Sequence, residues 1–232
     1  MDIAIKICGM RSASDITAAK KAGADFVGIV VGVPSSVRSV SEDEAVKLSQ
    51  ASQLPVVIVT VNMDCDRLVE LVSRAQPYAI QLHGDESPDA IRKLKKLTAC
   101  EIWKAMKLPP QDASFDEAFA EHLLKMAQQY VSAGADAILF DATPKKGAYG
   151  GTGLLSHWGY ARFLTERLRT RTILAGGLNP KNVQDAINSV RPWGVDVSSG
   201  VEVSKGVKAF ELMDEFVKNA RTAASKLWQL SR

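Results

Sequence analysis

Two residues of this chain have the chemistry of a proton-transfer pair, and each stands at the end of a short apolar run. Cys8 closes residues 3–7 and is followed by Gly9, and Asp141 closes residues 137–140. A cysteine thiolate acts as nucleophile or general base where positive charge nearby lowers its pKa. A buried, inert thiol is the alternative reading of Cys8. A carboxyl ending an apolar strand must be hydrogen-bonded, reach solvent or do chemistry, because burying it unpaired is costly. Partial desolvation would raise its pKa and suit it to general acid work.

Glycines supply the second chemical signal. Ala175-Gly176-Gly177-Leu178-Asn179-Pro180 and Val197-Ser198-Ser199-Gly200 follow the last two apolar runs. Without side chains, such loops let backbone amides approach an anion, and the last two loops of a barrel frequently hold a substrate phosphate. Behind Asp141, Gly147, Gly150, Gly151, Thr152 and Gly153 have the composition of a flap that could close over substrate. Arg38 could clamp a carboxylate bidentately or simply sit in solvent. Gln81 and His83 lie near a strand end, as ligand contacts or hydrogen-bonding supports, and Asp196 could hold a loop or a substrate hydroxyl. Lys104 lies within a strand, where a Schiff-base lysine or a paired structural lysine could equally stand.

These groups need a scaffold that presents them together. Apolar runs at 3–8, 26–31, 56–61, 78–82, 101–106, 137–141, 172–175 and 195–198 are rich in Val and Ile and mostly apolar at consecutive positions, as in strands buried on both faces. Helical patterns lie between them at 14–21, 42–52, 64–74, 88–97, 117–131, 158–168, 180–190 and 208–227. Ser87-Pro88 and Asn179-Pro180 offer N-caps with proline at the first helical position, and Gly23 and Gly134 stand where helices should stop. Ala22-Gly23-Ala24-Asp25 and Ala133-Gly134-Ala135-Asp136 repeat one helix-to-strand turn. Eight alternations without a linker favour one closed (β/α)8 TIM barrel across 1–232 over a doubly wound open sheet, which would want a glycine-rich first turn. The chemistry then collects on one rim.

Composition narrows the function further. The chain has 232 residues, 46% of them apolar and 24% charged, with a net charge of +3 that is too small and scattered to indicate nucleic acid. No apolar run reaches the roughly 18–20 residues of a membrane span. The first strand begins at Ile3, leaving no room for a signal peptide, and three widely spaced cysteines fit a reducing cytoplasm. His83, His122 and His157 show no metal-ligand spacing, so no metal is expected.

The ordered set Lys6-Ile7-Cys8-Gly9-Met10, Ser36-Val37-Arg38, Gln81-Leu82-His83-Gly84, Leu139-Phe140-Asp141 with Gly150-Gly151-Thr152-Gly153, Ala175 to Val183 and Gly194 to Glu202 resembles the phosphoribosylanthranilate isomerase family of tryptophan biosynthesis. The resemblance implies a cofactor-free Amadori rearrangement of a small phosphoribosyl substrate by a monomer or homodimer. It implies that Cys8 takes the proton from ribose C2 and Asp141 protonates the ring oxygen. Arg38 would hold the anthranilate carboxylate, with Gln81, His83 and Asp196 around the substrate and the backbone of Gly176, Gly177, Ser199 and Gly200 around its phosphate. Three features depart from the family pattern: Arg11 in place of a frequent threonine, Val31-Gly32-Val33-Pro34 without aromatics, and a long segment at 108–132. Arg11, if turned inward, would favour the Cys8 thiolate. A related phosphosugar isomerase, a Lys104-dependent aldolase on the same barrel and a non-catalytic phosphoribosyl-binding barrel are the competing readings.

Overall fold

Residues 56–60 are all buried, so this run has no face to turn to water and must lie between two packed layers. The computed structural model, which describes residues 3–143 and 154–230, shows how the layers form. Eight strands, β1 (Ala4–Cys8), β2 (Phe26–Val31), β3 (Val56–Thr60), β4 (Ala79–Leu82), β5 (Glu101–Leu108), β6 (Ala137–Ala142), β7 (Arg171–Leu174) and β8 (Gly194–Val197), each pair in parallel with the next. The sheet closes because β1 also pairs with β8, Lys6 lying opposite Asp196 on one side and Phe26 on the other. Closure excludes the open doubly wound sheet.

Eight helices surround the barrel: α1 (Ala13–Ala22), α2 (Glu42–Ala51), α3 (Cys65–Ala75), α4 (Pro88–Leu97), α5 (Glu117–Ser132), α6 (Trp158–Arg167), α7 (Val183–Val190) and α8 (Phe210–Leu230). Strand alternation produces two cores. Ile5, Ile7, Ile29, Ile58, Ile80, Ile102, Ile138 and Phe140 point outward against the helices. Val57, Ala79, Trp103, Ala105, Ala137, Leu139, Ile173 and Ala175 fill the lumen. At the N-terminal end of the strands Trp103 packs edge-on against Phe26 (5.4 Å) and Trp193 (6.3 Å). Glu101 accepts from Trp103 Nε1 (2.8 Å) and Tyr78 Oη (3.0 Å) and pairs with Arg171. The aromatic plug closes this end of the barrel among the described residues.

Ser87 caps α4 as its sequence predicts, accepting from Ala90 N, and Gly23 ends α1 at φ +89°. The Asn179-Pro180 cap is a correction. The two asparagines cross-brace a turn instead, Asn182 Oδ1 accepting from Asn179 N (2.8 Å) and Asn182 Nδ2 donating to Gly177 O (3.0 Å), and α7 waits until Val183. The last helix likewise begins at Phe210, because Val207–Lys208 pairs with Glu202–Ser204 in a short hairpin. In the long segment α5 begins at Glu117, as expected, while β5 runs on to Leu108, two residues past its expected end. Between them the loop packs on the start of α6: His157 N donates to Pro109 O (3.0 Å) and Tyr160 Oη to Ser114 O (3.3 Å).

Candidate active site

Strand parity decides which polar groups reach the lumen. Lys6 and Cys8, two apart on β1, share its inward face, as do Gln81 and His83 at the end of β4. The neighbouring register puts Asp196 beside Lys6, and Lys6 Nζ donates to Asp196 Oδ1 at 2.9 Å with both side chains buried. Above this pair opens a cleft at the C-terminal strand ends. Cys8, Arg38, Gln81, His83, Asp141, Gly176, Gly177, Asp196 and Ser199 all line it, so the expected acid, base and binding residues converge. Val30, Val33, Val59, Val61 and Leu178 give it an apolar wall, which suits a flat hydrophobic ring. Gly200 is absent from the lining. It ends the second glycine loop and packs against the first, where a Cβ would collide with Leu178 O. The flap residues Gly150, Gly151, Thr152 and Gly153 lie outside the described residues.

Around the thiol the charges are dense. Burial pushes the Cys8 thiol above its ordinary value, opposed by the positive charges of Lys6 and Lys208. Burial works to lower Lys6, but Asp196 and Cys8 together outweigh it and hold the ammonium charged. Burial raises Asp196 against the pull of Lys6. Arg11 takes no part: it is exposed, with its guanidinium beside Gly206, so the idea that it supports the thiolate is withdrawn.

Arg38 reaches the cleft buried and already engaged. Its Nε and Nη2 donate to the two carboxylate oxygens of Glu202, each at 2.7 Å. Lys208 Nζ donates to Glu202 Oε1 (2.8 Å) and Ser198 O (2.8 Å). Burial would raise Glu202, but Arg38, Lys208 and the Gly206 amide outweigh it and bring the carboxyl down to about 2.

Asp141 is held at both oxygens. Ala142 N donates to Oδ1 (2.8 Å), and His83 Nε2 lies 3.0 Å from Oδ2. On the far side of the ring, Nδ1 lies 2.8 Å from Gln81 Nε2. With Asp141 ionised, His83 donates from Nε2 and accepts from Gln81 at Nδ1. With Asp141 protonated the direction reverses, and Nδ1–H needs an acceptor. Gln81 Oε1, buried and without a partner among the described residues, becomes that acceptor when the amide turns over. One rotatable amide therefore serves both protonation states of the carboxyl.

In the first glycine loop, Gly176 (φ +82°) and Gly177 (φ +64°) take left-handed conformations that L side chains resist. A Cβ on Gly176 would also stand 2.7 Å from Ala142 N, so the loop needs its glycine twice over.

Lys104 does not reach the cleft. Its parity on β5 turns it toward the helices, where Nζ meets Gly84 O (2.7 Å), Ala105 O (2.9 Å), Leu82 O (3.3 Å) and Glu86 Oε2 (3.1 Å). A Schiff base would abandon these partners on the wrong side of the strand, which disposes of the aldolase reading. Sequence reasoning gave no role to Lys6, Glu202 or Lys208. A lysine two residues before a rim cysteine, on the same strand face, was the available signal for the first. No local signal marks the other two, which are brought to Arg38 by the tertiary fold.

A closed barrel that sets a thiol, a carboxyl and a group of buried cations around one cleft is an enzyme moving protons on a small anionic substrate. The model of the N-(5'phosphoribosyl)anthranilate (PRA) isomerase family matches residues 5–219. The N-(5'-phosphoribosyl)anthranilate isomerase of Natronomonas pharaonis is 35% identical over 219 residues, 93% of this chain and 97% of that one. The structure of the Pyrococcus furiosus N-(5'-phosphoribosyl)anthranilate isomerase superposes with a TM-score of 0.80 at 30% identity, covering 95% of this chain and 99% of the other. A phosphoribosyl anthranilate isomerase solved with reduced 1-(o-carboxyphenylamino)-1-deoxyribulose 5-phosphate matches with a TM-score of 0.75 at 31% identity, with 95% and 99% covered. The chain belongs to the N-(5'-phosphoribosyl)anthranilate isomerase family, and it is an intramolecular isomerase.

Proposed function

We propose that this chain, as a single-domain enzyme, converts N-(5-phosphoribosyl)anthranilate to 1-(2-carboxyphenylamino)-1-deoxyribulose 5-phosphate with Asp141 as general acid and Cys8 as general base. The observation that carries the reading is the convergence of both groups, with both glycine loops, on one cleft. Asp141 protonates the ring oxygen, the C1–O bond breaks, and a protonated Schiff base forms at C1. That cation acidifies the C2 proton, which Cys8 removes, and the enolamine then takes a proton at C1 as the C2 hydroxyl becomes a ketone. Burial resists thiolate formation, but Lys6, Lys208 and the new iminium charge all favour it.

The amides of Gly176, Gly177 and Ser199, braced by Gly200, suit the phosphate. Arg38 retains Nη1, which makes no hydrogen bond among the described residues, for the anthranilate carboxylate. The ring fits the valine wall. The expected setting is cytoplasmic tryptophan synthesis, on a small-molecule substrate, by a monomer or homodimer; no helix among the described residues is long and apolar enough to cross a membrane.

The test couples anthranilate with phosphoribosyl pyrophosphate in situ and follows decay of the fluorescent adduct. Cys8→Ala and Asp141→Asn each lower kcat by about 10³-fold or more while the reduced product analogue still binds. Full turnover in either variant refutes the assignment. A binding-only barrel would show no decay even in the wild type.

A further inference from the structure

Lys104 and Glu86 form a buried ion pair outside the cleft, with side chains 2% and 7% exposed, that proton transfer does not use. Taking two such ions out of water costs several kcal/mol each, and a well-packed apolar pair is often as stable. What the pair touches explains its presence. Lys104 Nζ reaches the carbonyls of Leu82 and Gly84, the residues on either side of His83. Glu86 Oε1 accepts the amides of Gly84 (3.1 Å) and Asn62 (2.8 Å), tying the loop after β4 to the loop after β3. Asn62, at φ +49°, returns Oδ1 to Asp85 N (2.7 Å) and fills the space where a Gly84 side chain would stand. His83 N itself donates to Thr60 O (2.8 Å). The backbone bearing His83 is thus held from both sides and from below, and the His83 ring is the side chain that meets Asp141.

We propose that Lys104 and Glu86 are positioning residues for the proton donor, fixing the His83 ring so that it holds Asp141 in its donating orientation. The proposal rests on Asp141 being the general acid. Both residues act through His83 and touch no substrate.

Three readouts separate positioning from mere stability. Lys104→Met lowers kcat about tenfold or more and leaves KM within about twofold, the signature of an interaction that matters in the transition state. In a His83→Asn background the same substitution costs no further kcat, because the element it positions is gone. Nitrogen-15 spectra of the His83 imidazole change from one tautomer in the wild type to an exchange average in Lys104→Met. Glu86→Gln keeps an oxygen for the two amides while removing the charge that Lys104 meets. It gives the same three results, and carries the test if Lys104→Met fails to fold.

Unchanged kcat in a folded variant, or losses fully additive with His83→Asn, overturns the proposal. A wrong assignment of Asp141 shows itself differently: Asp141→Asn keeps turnover while the His83 spectra still respond to Lys104→Met.

Discussion

Glu202 is the anion that pairs with the cleft-lining Arg38, and replacing it tests the electrostatics of the whole rim. In the fold it receives four hydrogen bonds, from Arg38 Nε, Arg38 Nη2, Lys208 Nζ and Gly206 N. Its folded pKa of about 2 lies below the ordinary 4.5. A depressed carboxyl contributes stability that is complete above its unfolded pKa and drains away as pH falls through the folded one. The full contribution is about 3 kcal/mol at neutral pH, at ~1.4 kcal/mol per pKa unit. By pH 3.5 roughly 1.5 kcal/mol of it has gone. Glu202→Gln removes the titrating group, so the stability gap between wild type and variant must narrow by that amount between pH 7 and pH 3.5. The pH-independent cost of leaving Arg38 and Lys208 without an anion stays in the gap at both ends. Urea unfolding followed by tryptophan fluorescence at a series of pH values measures it. A gap of constant size across this range refutes the four-bond account of Glu202. The same variant frees the Arg38 fork, and KM for the carboxylate-bearing substrate rises.

Gly28→Ala would place a methyl 2.7 Å from Cys8 Sγ and 3.0 Å from Lys6 Nζ, so kcat/KM falls by about tenfold or more while far-ultraviolet circular dichroism is unchanged. Because burial raises the Cys8 thiol and Lys6 opposes the rise, the kcat/KM profile climbs with pH into the alkaline range; Lys6→Gln moves that limb to still higher pH, as read by rate profiles and by thiolate absorbance. Gly200→Ala drives a Cβ into Leu178 O, so the second anion loop is displaced, and inorganic phosphate competes less well with substrate in inhibition assays.

The strands and the rim were legible because both are local signals. Consecutive Val and Ile mark a doubly covered strand, and a Cys or Asp that ends such a run stands out against its neighbours. Ser87-Pro88 could be read because a cap is decided within four residues. Asn179-Pro180 looked the same, yet Asn182, three residues on, diverted both asparagine side chains into a turn. The ion pairs that set the site's charge were out of reach. Lys6 and Asp196 are 190 residues apart, and Arg38 and Glu202 are 164 apart, joined only by barrel closure and by the hairpin after β8. Lys104 was ambiguous for a different reason. β5 is nearly all buried, so no alternation of polar and apolar residues showed which face the lysine takes.

The balance of charge around the thiol bears on the order of events. Lys6 and Asp196 neutralise one another directly, leaving Arg38 and Lys208 against the single charge of Glu202. Lys6 and Lys208 favour the Cys8 thiolate against the burial that disfavours it. A substrate bearing carboxylate and phosphate adds negative charge that opposes these cations, and the thiol is driven back toward its neutral form. In the proposed mechanism new positive charge arrives when ring opening creates the iminium, at the carbon next to the one whose proton Cys8 takes. On the proposed roles, acid catalysis by Asp141 has to precede base catalysis by Cys8, and the buried thiol is competent only against the intermediate that the carboxyl has made.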